Sequence, residues 1–238
     1  MRAYAEDDLL ALKAKQGISA LIEAEIVIDA TTTIRLPLVP FTRPSFDEFA
    51  DASLKDHASA TEALLYRSIR FYNASEIGEL RRACASLPAQ VFSVLSADAG
   101  FPDPANPPSR YQVDAFDAST PPLVLELAGL DEATAAQLLA GLAGTPARVV
   151  SVIDQDNARI FGAVLAAPGE AEQHILAKAR ATQKGFGAAA RSAAEGCLRW
   201  RSAGPDLWDR YPAIPIMCLA DTIGDLGGGA ATRRFRRR

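Results

Sequence analysis

The side chains that most often carry catalysis or hold metals are few in this 238-residue chain. His57 and His174 are the only histidines, and each lies in a predicted helix among Lys, Asp, Glu and Ala. Isolated histidines in such surroundings are typical of exposed helix faces, and a general base or a metal ligand is the less favoured alternative. We therefore predict no metal site and no catalytic histidine.

The three cysteines, Cys84, Cys197 and Cys218, are far apart, and none belongs to a CxxC pair. An odd number at such spacing favours neither a disulfide framework nor a zinc site. Buried free thiols are the favoured interpretation. A deep polar pocket holding a carboxylate pair, or a thiolate of Cys84 or Cys218, would instead indicate an enzyme whose site the sequence does not reveal.

Two further motifs have the residue types of ion-binding loops in other proteins: carboxylates that bind calcium and glycine runs that bind phosphate. Asp154, Asp156 and Asn157 match the start of a calcium loop, but the following glycine and the closing glutamate are missing, so a polar hairpin tip is favoured. Gly227–Gly229 has no preceding strand and no phosphate-binding signature, and it is interpreted as a flexible joint. The sequence thus predicts no catalytic residue, no cofactor and no metal.

The strongest charge feature is a cluster of five arginines around Phe235. The net charge is −4, and removing these five positive charges leaves −9 for the rest of the chain. Docking on an acidic protein surface is the favoured role, ahead of no role and of contact with nucleic acid, because an acidic body does not offer a basic face to a duplex. The candidate interaction residues here are Arg233, Arg234, Phe235, Arg236, Arg237 and Arg238.

Three aromatic residues, Trp200, Trp208 and Tyr211, form the second candidate interaction set. Large aromatics anchor protein interfaces, but they also fill cores. Burial that locks the helix packing is favoured over an interface hot spot.

The elements that would position these residues begin with a short helix from Asp7 to Gly17. The β-branched run within residues 22–38 predicts a hairpin with its turn near Asp29. Helices follow, and Ser45 with Glu48 and Asn73 with Glu76 have the spacing of capping boxes.

Six prolines within residues 101–122 predict a stiff linker, after which the same order of elements returns. A helix runs from Asp131 to Gly144, a hairpin spans residues 149–165, and Pro168 precedes Glu172 as Pro44 precedes Glu48. We predict an α+β, predominantly helical fold of two similar domains, each a β-hairpin flanked by short helices. The alternative is coincidence, because the turn and capping residues of unrelated αβ domains can occur in the same order. The domains are a first repeat at 1–101, a Pro-rich linker at 102–122, a second repeat at 123–229 and an Arg-rich tail at 230–238.

Charged or polar residues interrupt every apolar stretch before it reaches the length of a membrane span. Acidic residues at Glu6, Asp7 and Asp8 take the place of the apolar centre of a secretory signal. We expect no membrane association and a cytoplasmic location.

The second repeat resembles small proteins of tailed bacteriophages. The resemblance covers about 80 residues and rests on the hairpin, Pro168 with Glu172, Cys197-Leu-Arg-Trp200, Asp209-Arg-Tyr-Pro-Ala213 and the glycine-ended helix at 216–227. The first repeat carries a weaker version in Leu36-Pro-Leu-Val-Pro-Phe-Thr-Arg-Pro44.

This resemblance implies a tail-assembly chaperone or baseplate-hub assembly protein. Such a protein is not an enzyme, binds other tail or baseplate proteins, and is found in the host cytoplasm during assembly or in the virion tail. The duplication and the Arg-rich tail depart from the family pattern. One alternative is a permanent structural component of the tail, baseplate or neck, and the other is a bacterial enzyme with an unrecognised site. Two linked domains are further expected to bind two copies of a symmetric partner.

Overall fold

The computed structural model describes residues 5–16, 21–101, 111–154, 159–202 and 206–226. The chain divides into two compact units, Met1–Ala99 and Gly100–Arg238. The predicted boundary at residue 101 lies two residues beyond this division.

Unit 1 consists of a helix, a hairpin and four further helices. These are α1 (Glu6–Gln16), β1 (Ile22–Val27), β2 (Thr33–Leu38), α2 (Arg43–Lys55), α3 (His57–Ser68), α4 (Ala74–Ala83) and α5 (Leu87–Asp98). β1 and β2 pair antiparallel, as the sequence predicted, and Asp29 caps the turn by accepting hydrogen bonds from Thr31 N–H and Thr32 N–H. Their inward side chains, which include Ile26, Leu36 and Leu38, are fully buried.

Unit 2 is built on a four-stranded antiparallel sheet of order β3-β4-β5-β6. Its elements are β3 (Tyr111–Ala115), α6 (Pro122–Ala128), α7 (Glu132–Leu142), β4 (Ala147–Asp154), β5 (Arg159–Ala166), α8 (Glu170–Thr182), α9 (Phe186–Cys197), β6 (Leu198–Arg201), α10 (Asp206–Arg210) and α11 (Ile214–Leu226). β4 and β5 are the predicted hairpin, and the residues of its tip, 155–158, lie outside the described residues.

Both faces of this sheet are buried, which explains the continuous apolar runs of its central strands. Val149 and Val164 pack with residues of α6 and α7 in one core, whereas Val150 and Leu165 pack with residues of α8, α9 and α11 in the other. Successive strand residues therefore enter different cores.

The fold class is α+β with helix predominating, as predicted. Both units share the order helix, hairpin, two helices, with α1 to α3 matching α7 to α9. Unit 2 adds strands on both sides of its hairpin and the helix α6. Whether the shared order reflects duplication stays a prediction.

The linker prediction is wrong for residues 111–122, because Tyr111–Ala115 forms β3 and Pro122 begins α6. The prolines cluster at 102–108 and 121–122, and the segment between them is free to pair with β4. Residues 102–110 lie outside the described residues. Within the described ranges, no helix combines the length and the apolar character needed to cross a membrane.

Candidate protein-binding groove

A groove of about 1030 Å³ lies along α2 and α3 in unit 1. Its apolar lining includes Phe41, Phe49 and Leu64, and its small side chains include Ala52 and Ala63. Charged residues of both signs share the lining: Glu48, Asp51, Lys55, Asp56, Arg67 and Arg70. We call this surface the α2–α3 groove.

Local sequence signals fix both helices that form the α2–α3 groove. Thr42 caps α2, because its hydroxyl accepts from Ser45 N–H while the Ser45 hydroxyl accepts from Thr42 N–H at 2.9 Å. The predicted box of Ser45 and Glu48 is therefore displaced by three residues, since Arg43 and Pro44 already belong to the first turn.

A single extended residue, Asp56, separates the two helices. It ends α2 and caps α3 by accepting a hydrogen bond from Ser59 N–H at 3.1 Å. Hydrogen bonds from the Ser59 hydroxyl and then from its backbone N–H lower the pKa of Asp56. The tight junction keeps the helices adjacent, so that they pack on one another.

Phe41 and Phe49, which line the groove, belong to a cluster of aromatic rings. Phe41 is 7% exposed and meets Phe46 edge-on, with ring centroids 5.3 Å apart. Phe49 lies 5.6 Å from Phe41 and 5.2 Å from Phe92 of α5. Interlocked rings of this kind give the groove a stiff apolar wall.

One ion pair connects α2 with α3 across the groove. Arg67 Nη1 donates to Glu48 Oε2 at 2.7 Å, and both side chains are more than half exposed. An exposed pair contributes at most about 1 kcal/mol to stability. A partner could therefore exchange these contacts for its own at low cost.

The predicted counterpart of this pair in unit 2 involves Glu172 of α8 and Gly196 of α9. In the predicted alignment of the repeats, Glu172 corresponds to Glu48 and Gly196 to Arg67. A Cβ on Gly196 would lie 2.6 Å from Glu172 Oε1, which shows how closely that carboxylate rests on α9.

No family model, curated protein or solved structure matched this chain. Its function must therefore be inferred from its own side chains and from the sequence resemblance.

The predicted interaction residues do not come together in one described surface. The six candidates from Arg233 to Arg238 lie outside the described residues. Trp208 is 7% exposed and Tyr211 is fully buried, so both belong to the core of unit 2. Trp200 is half-buried against the core formed with α6 and α7. Burial removes Trp208 and Tyr211 from the candidates for partner contact.

The histidines lie on exposed parts of helices. His57 Nδ1 is 2.7 Å from the Ser53 hydroxyl, and its ring lies edge-on to Phe92 at 5.3 Å. His174 is exposed on α8. In the part of the chain that the structure describes, no three His, Cys, Asp or Glu side chains are grouped to hold a metal ion.

The cysteines are all buried as free thiols. Cys218 lines a mostly apolar cavity of about 10 Å³ with Val150 and Val152, which is not the deep polar pocket that an active thiolate would need. Cys84 Sγ lies 3.5 Å from the Val27 carbonyl and 3.4 Å from the Ser86 hydroxyl. Burial raises the pKa of Cys197 to about 11, and the charge of Glu172 adds to this shift.

Proposed function

We propose that this chain is a non-enzymatic assembly protein of a phage tail or baseplate and that it binds a partner protein in the α2–α3 groove. The observation that carries the binding part is the groove itself, in which an apolar wall is bordered by exposed charges of both signs. Protein interfaces have the same anatomy of an apolar centre within a polar rim. The phage role is supported by the sequence resemblance of the second repeat.

The shape of the groove suits an amphipathic helix of the partner. Two packed helices with Ala52 and Ala63 between them leave room for apolar side chains, while Glu48 and Arg67 can pair with charges on the flanks of the incoming helix. Such helix-in-groove binding uses anchors spaced by three or four residues.

Filling the groove tests this proposal. Ala63→Trp places a large ring at an exposed position of the lining, whereas Ala83→Trp places the same ring on α4, away from it. We expect the wild-type chain and Ala83→Trp to co-purify with one tail or baseplate protein of the source phage or prophage at a fixed ratio. We expect Ala63→Trp to recover that protein at a lower ratio, and equal recovery by all three chains would contradict the groove assignment.

Purified particles separate a transient chaperone from a permanent component. Mass spectrometry that finds the chain in defined copy number would make it a structural part of the tail, baseplate or neck. Its absence from particles, with abundance in the lysate, would support the chaperone role.

The proposed binding of two copies of a symmetric partner predicts a stoichiometry. Mass photometry of the complex should then show two partner copies per chain, and Ala63→Trp should reduce this to one. A single partner copy on the wild-type chain would exclude bivalent binding. The ion pair of Glu48 with Arg67 lies in unit 1, and the contact of Glu172 with Gly196 lies in unit 2. The number of bound copies therefore also tests whether the two units bind the partner alike.

A further inference from the structure

The layer of unit 2 that contains α6 and α7 carries an excess of negative charge. Residues 111–146 contain five carboxylates and no lysine, arginine or histidine. The five are Asp114, Asp117, Glu126, Asp131 and Glu132. Among the described residues, none of these carboxylates belongs to an ion pair.

The hydrogen bonds in this layer do not remove the charge. Thr134 N–H donates to Asp131 Oδ1 at 2.8 Å, and the Thr134 hydroxyl donates to Asp131 Oδ2 at 2.7 Å, but both donors are neutral. Glu126 and Glu132 are exposed, and within the described ranges neither accepts a hydrogen bond. Each of these side chains is therefore available to a cationic group.

A cavity of about 430 Å³ lies among these charges, where α6 ends and α7 begins. Its apolar lining is Pro122, Leu125 and Leu130, and its acidic lining is Glu126, Asp131 and Glu132. On the same helix, Leu123 is 63% exposed and Leu127 is 36% exposed. α6 thus presents an apolar face bordered by carboxylates. We call this surface the α6–α7 face.

The charge of the α6–α7 face identifies what would cover it. Nucleic acids and anionic membranes are repelled by uncompensated carboxylates, whereas a cationic segment is attracted. The Arg-rich tail has five arginines in the six residues 233–238, with Phe235 among them. Guanidinium groups pair with carboxylates through two hydrogen bonds, and an aromatic ring fills an apolar cavity. The Arg-rich tail therefore matches both the charge and the apolar lining of this face.

The chain is long enough for this contact to form within one molecule. α11 ends at Leu226 and packs against β3, β4 and β5 on the side of the sheet opposite α6. Packed layers lie about 10 Å apart, so about 20 Å separates α11 from α6. The nine residues that lead from Leu226 to Phe235 can span about 30 Å, and the first three are glycines, whose backbone can turn in any direction.

We propose that the α6–α7 face binds the Arg-rich tail of the same molecule. Phe235 enters the cavity, and the arginines on either side of it pair with Glu126, Asp131 and Glu132. The ring fixes the position of the tail, and the ion pairs, which are exposed, weaken as salt is added. This inference does not depend on the α2–α3 groove, which belongs to unit 1.

Trypsin measures how often the tail leaves this face, because it cleaves after arginine only when the segment is free to enter its active site. Mass spectrometry of the intact chain follows cleavage within residues 233–238. Glu126→Gln with Glu132→Gln removes two charges from the α6–α7 face. The matched control, Glu170→Gln with Glu195→Gln, removes two exposed charges from α8 and α9 on the other side of the sheet. The tail is identical in all three chains, so its intrinsic rate of cleavage is the same.

We expect the Glu126 and Glu132 variant to lose its tail about tenfold faster than the wild-type chain and the control, because proteolysis follows the population of the open state. Added salt should accelerate cleavage of the wild-type chain more than that of the variant. Equal rates of cleavage in all three chains would overturn the proposal. Circular dichroism checks that each variant is folded.

NMR of the ¹⁵N-labelled full-length chain tests the position of Phe235. Phe235→Ala should shift the backbone amide signals of Gly129 and Leu130, because it removes an aromatic ring from the cavity that these residues line. Unchanged signals would place the ring elsewhere and overturn the proposed geometry. Sedimentation velocity over a wide range of concentration should show a monomer. Self-association that Glu126→Gln with Glu132→Gln abolishes would place the tail on a second copy and overturn binding within one molecule.

Discussion

Gly162 of β5 lies directly under Ala128, the last residue of α6. A Cβ built on Gly162 would lie 1.9 Å from the Ala128 carbonyl oxygen and 2.6 Å from the carbonyl carbon. Ala128 is fully buried in the core that α6 shares with the sheet. The helix therefore rests on the strand backbone, and only glycine permits this distance.

Gly162→Ala should therefore destabilise unit 2 by about 3 kcal/mol or more, because the clash is with backbone atoms that cannot rotate aside. The change can be measured by urea denaturation followed by tryptophan fluorescence, since Trp200 and Trp208 both lie in unit 2. Gly196→Ala is the matched control. Its Cβ would meet the mobile end of the Glu172 side chain, so we expect a change below about 1 kcal/mol. Equal losses in the two variants would contradict the close approach of α6 to β5.

The capping box of α4 provides a test in unit 1. Asn73 Oδ1 accepts from Ser75 N–H and Glu76 N–H, and Glu76 Oε2 accepts from Asn73 N–H at 2.9 Å. Asn73→Ala should lower the free energy of unfolding by about 1 kcal/mol. Denaturation followed by far-ultraviolet circular dichroism measures this loss. Ser75→Ala, at the neighbouring exposed position, should have little effect, and an equally small effect of Asn73→Ala would show that the box does not stabilise α4.

Signals that act within a few residues were predictable from the sequence. The box of Asn73 and Glu76 and the cap at Asp131 are confirmed because each joins a side chain to backbone groups two or three residues away. The box of Ser45 and Glu48 was wrong because Thr42 offered an earlier cap ahead of Pro44. The hairpins were found because each pairs strands joined by a short turn.

Features that depend on distant pairing were not predicted. β3 pairs with β4 across two intervening helices, and β6 pairs with β5 after α8 and α9. Neither five-residue nor four-residue strands carry enough alternation to be recognised alone. In unit 1, Val39 N–H, just after β2, donates to the Ser68 carbonyl at the end of α3 at 2.9 Å, which joins residues 29 positions apart.

The α2–α3 groove and the hydrogen bonds between the Gln90 side chain and the Val27 backbone were not predicted either, because they also join residues that are distant in the sequence. Glu48 and Arg67 are 19 residues apart, and Gln90 and Val27 are 63 residues apart. Their side-chain types are ordinary in exposed helices, so only the fold reveals the relationship. The small residues Ala52 and Ala63 are the weak signal from which the groove could have been suspected.

The aspartates that cap turns and helices predict a fall in stability in acid. Hydrogen bonds from the Thr134 hydroxyl and then from its backbone N–H lower the pKa of Asp131 below the ordinary value of 3.8, and Asp29, Asp56 and Asp117 are shifted in the same direction. The folded state favours the ionised form of each of these carboxyl groups. Each group therefore contributes stability that is complete above its pKa in the unfolded chain and is lost as the pH falls through its pKa in the folded chain.

Thr134→Ala should raise the pKa of Asp131 toward 3.8 and reduce the part of the acid-induced loss that Asp131 contributes. Carboxyl ¹³C NMR measures that pKa directly. Thr182→Ala removes a threonine hydroxyl that donates to the Lys178 carbonyl, and it should leave the titration of Asp131 unchanged. A titration of Asp131 at its ordinary pKa in the wild-type chain would contradict the hydrogen-bonded geometry.

The buried cysteines predict a slow reaction with thiol reagents and also test the enzyme alternative. Burial, followed by the charge of Glu172, raises the pKa of Cys197 from 9.0 to about 11, and the side chain is 1% exposed. The folded state thus favours the neutral thiol, so its contribution to stability is complete below about pH 9 and is lost as the pH rises through 11. Alkylation followed by mass spectrometry near pH 8 should find Cys197 unmodified in the native chain and modified in guanidinium.

Glu172→Gln should lower the pKa of Cys197, because it removes the negative charge that opposes ionisation, and ultraviolet absorbance of the thiolate can follow the change. Glu170→Gln, two residues earlier at the exposed start of α8, is the control and should leave that pKa in place. Rapid native alkylation of Cys197 would contradict its burial. Rapid alkylation of Cys84 or Cys218 near neutral pH would instead support an enzyme with a reactive thiolate, because thiols enclosed as these are in the structure should react only when the chain opens.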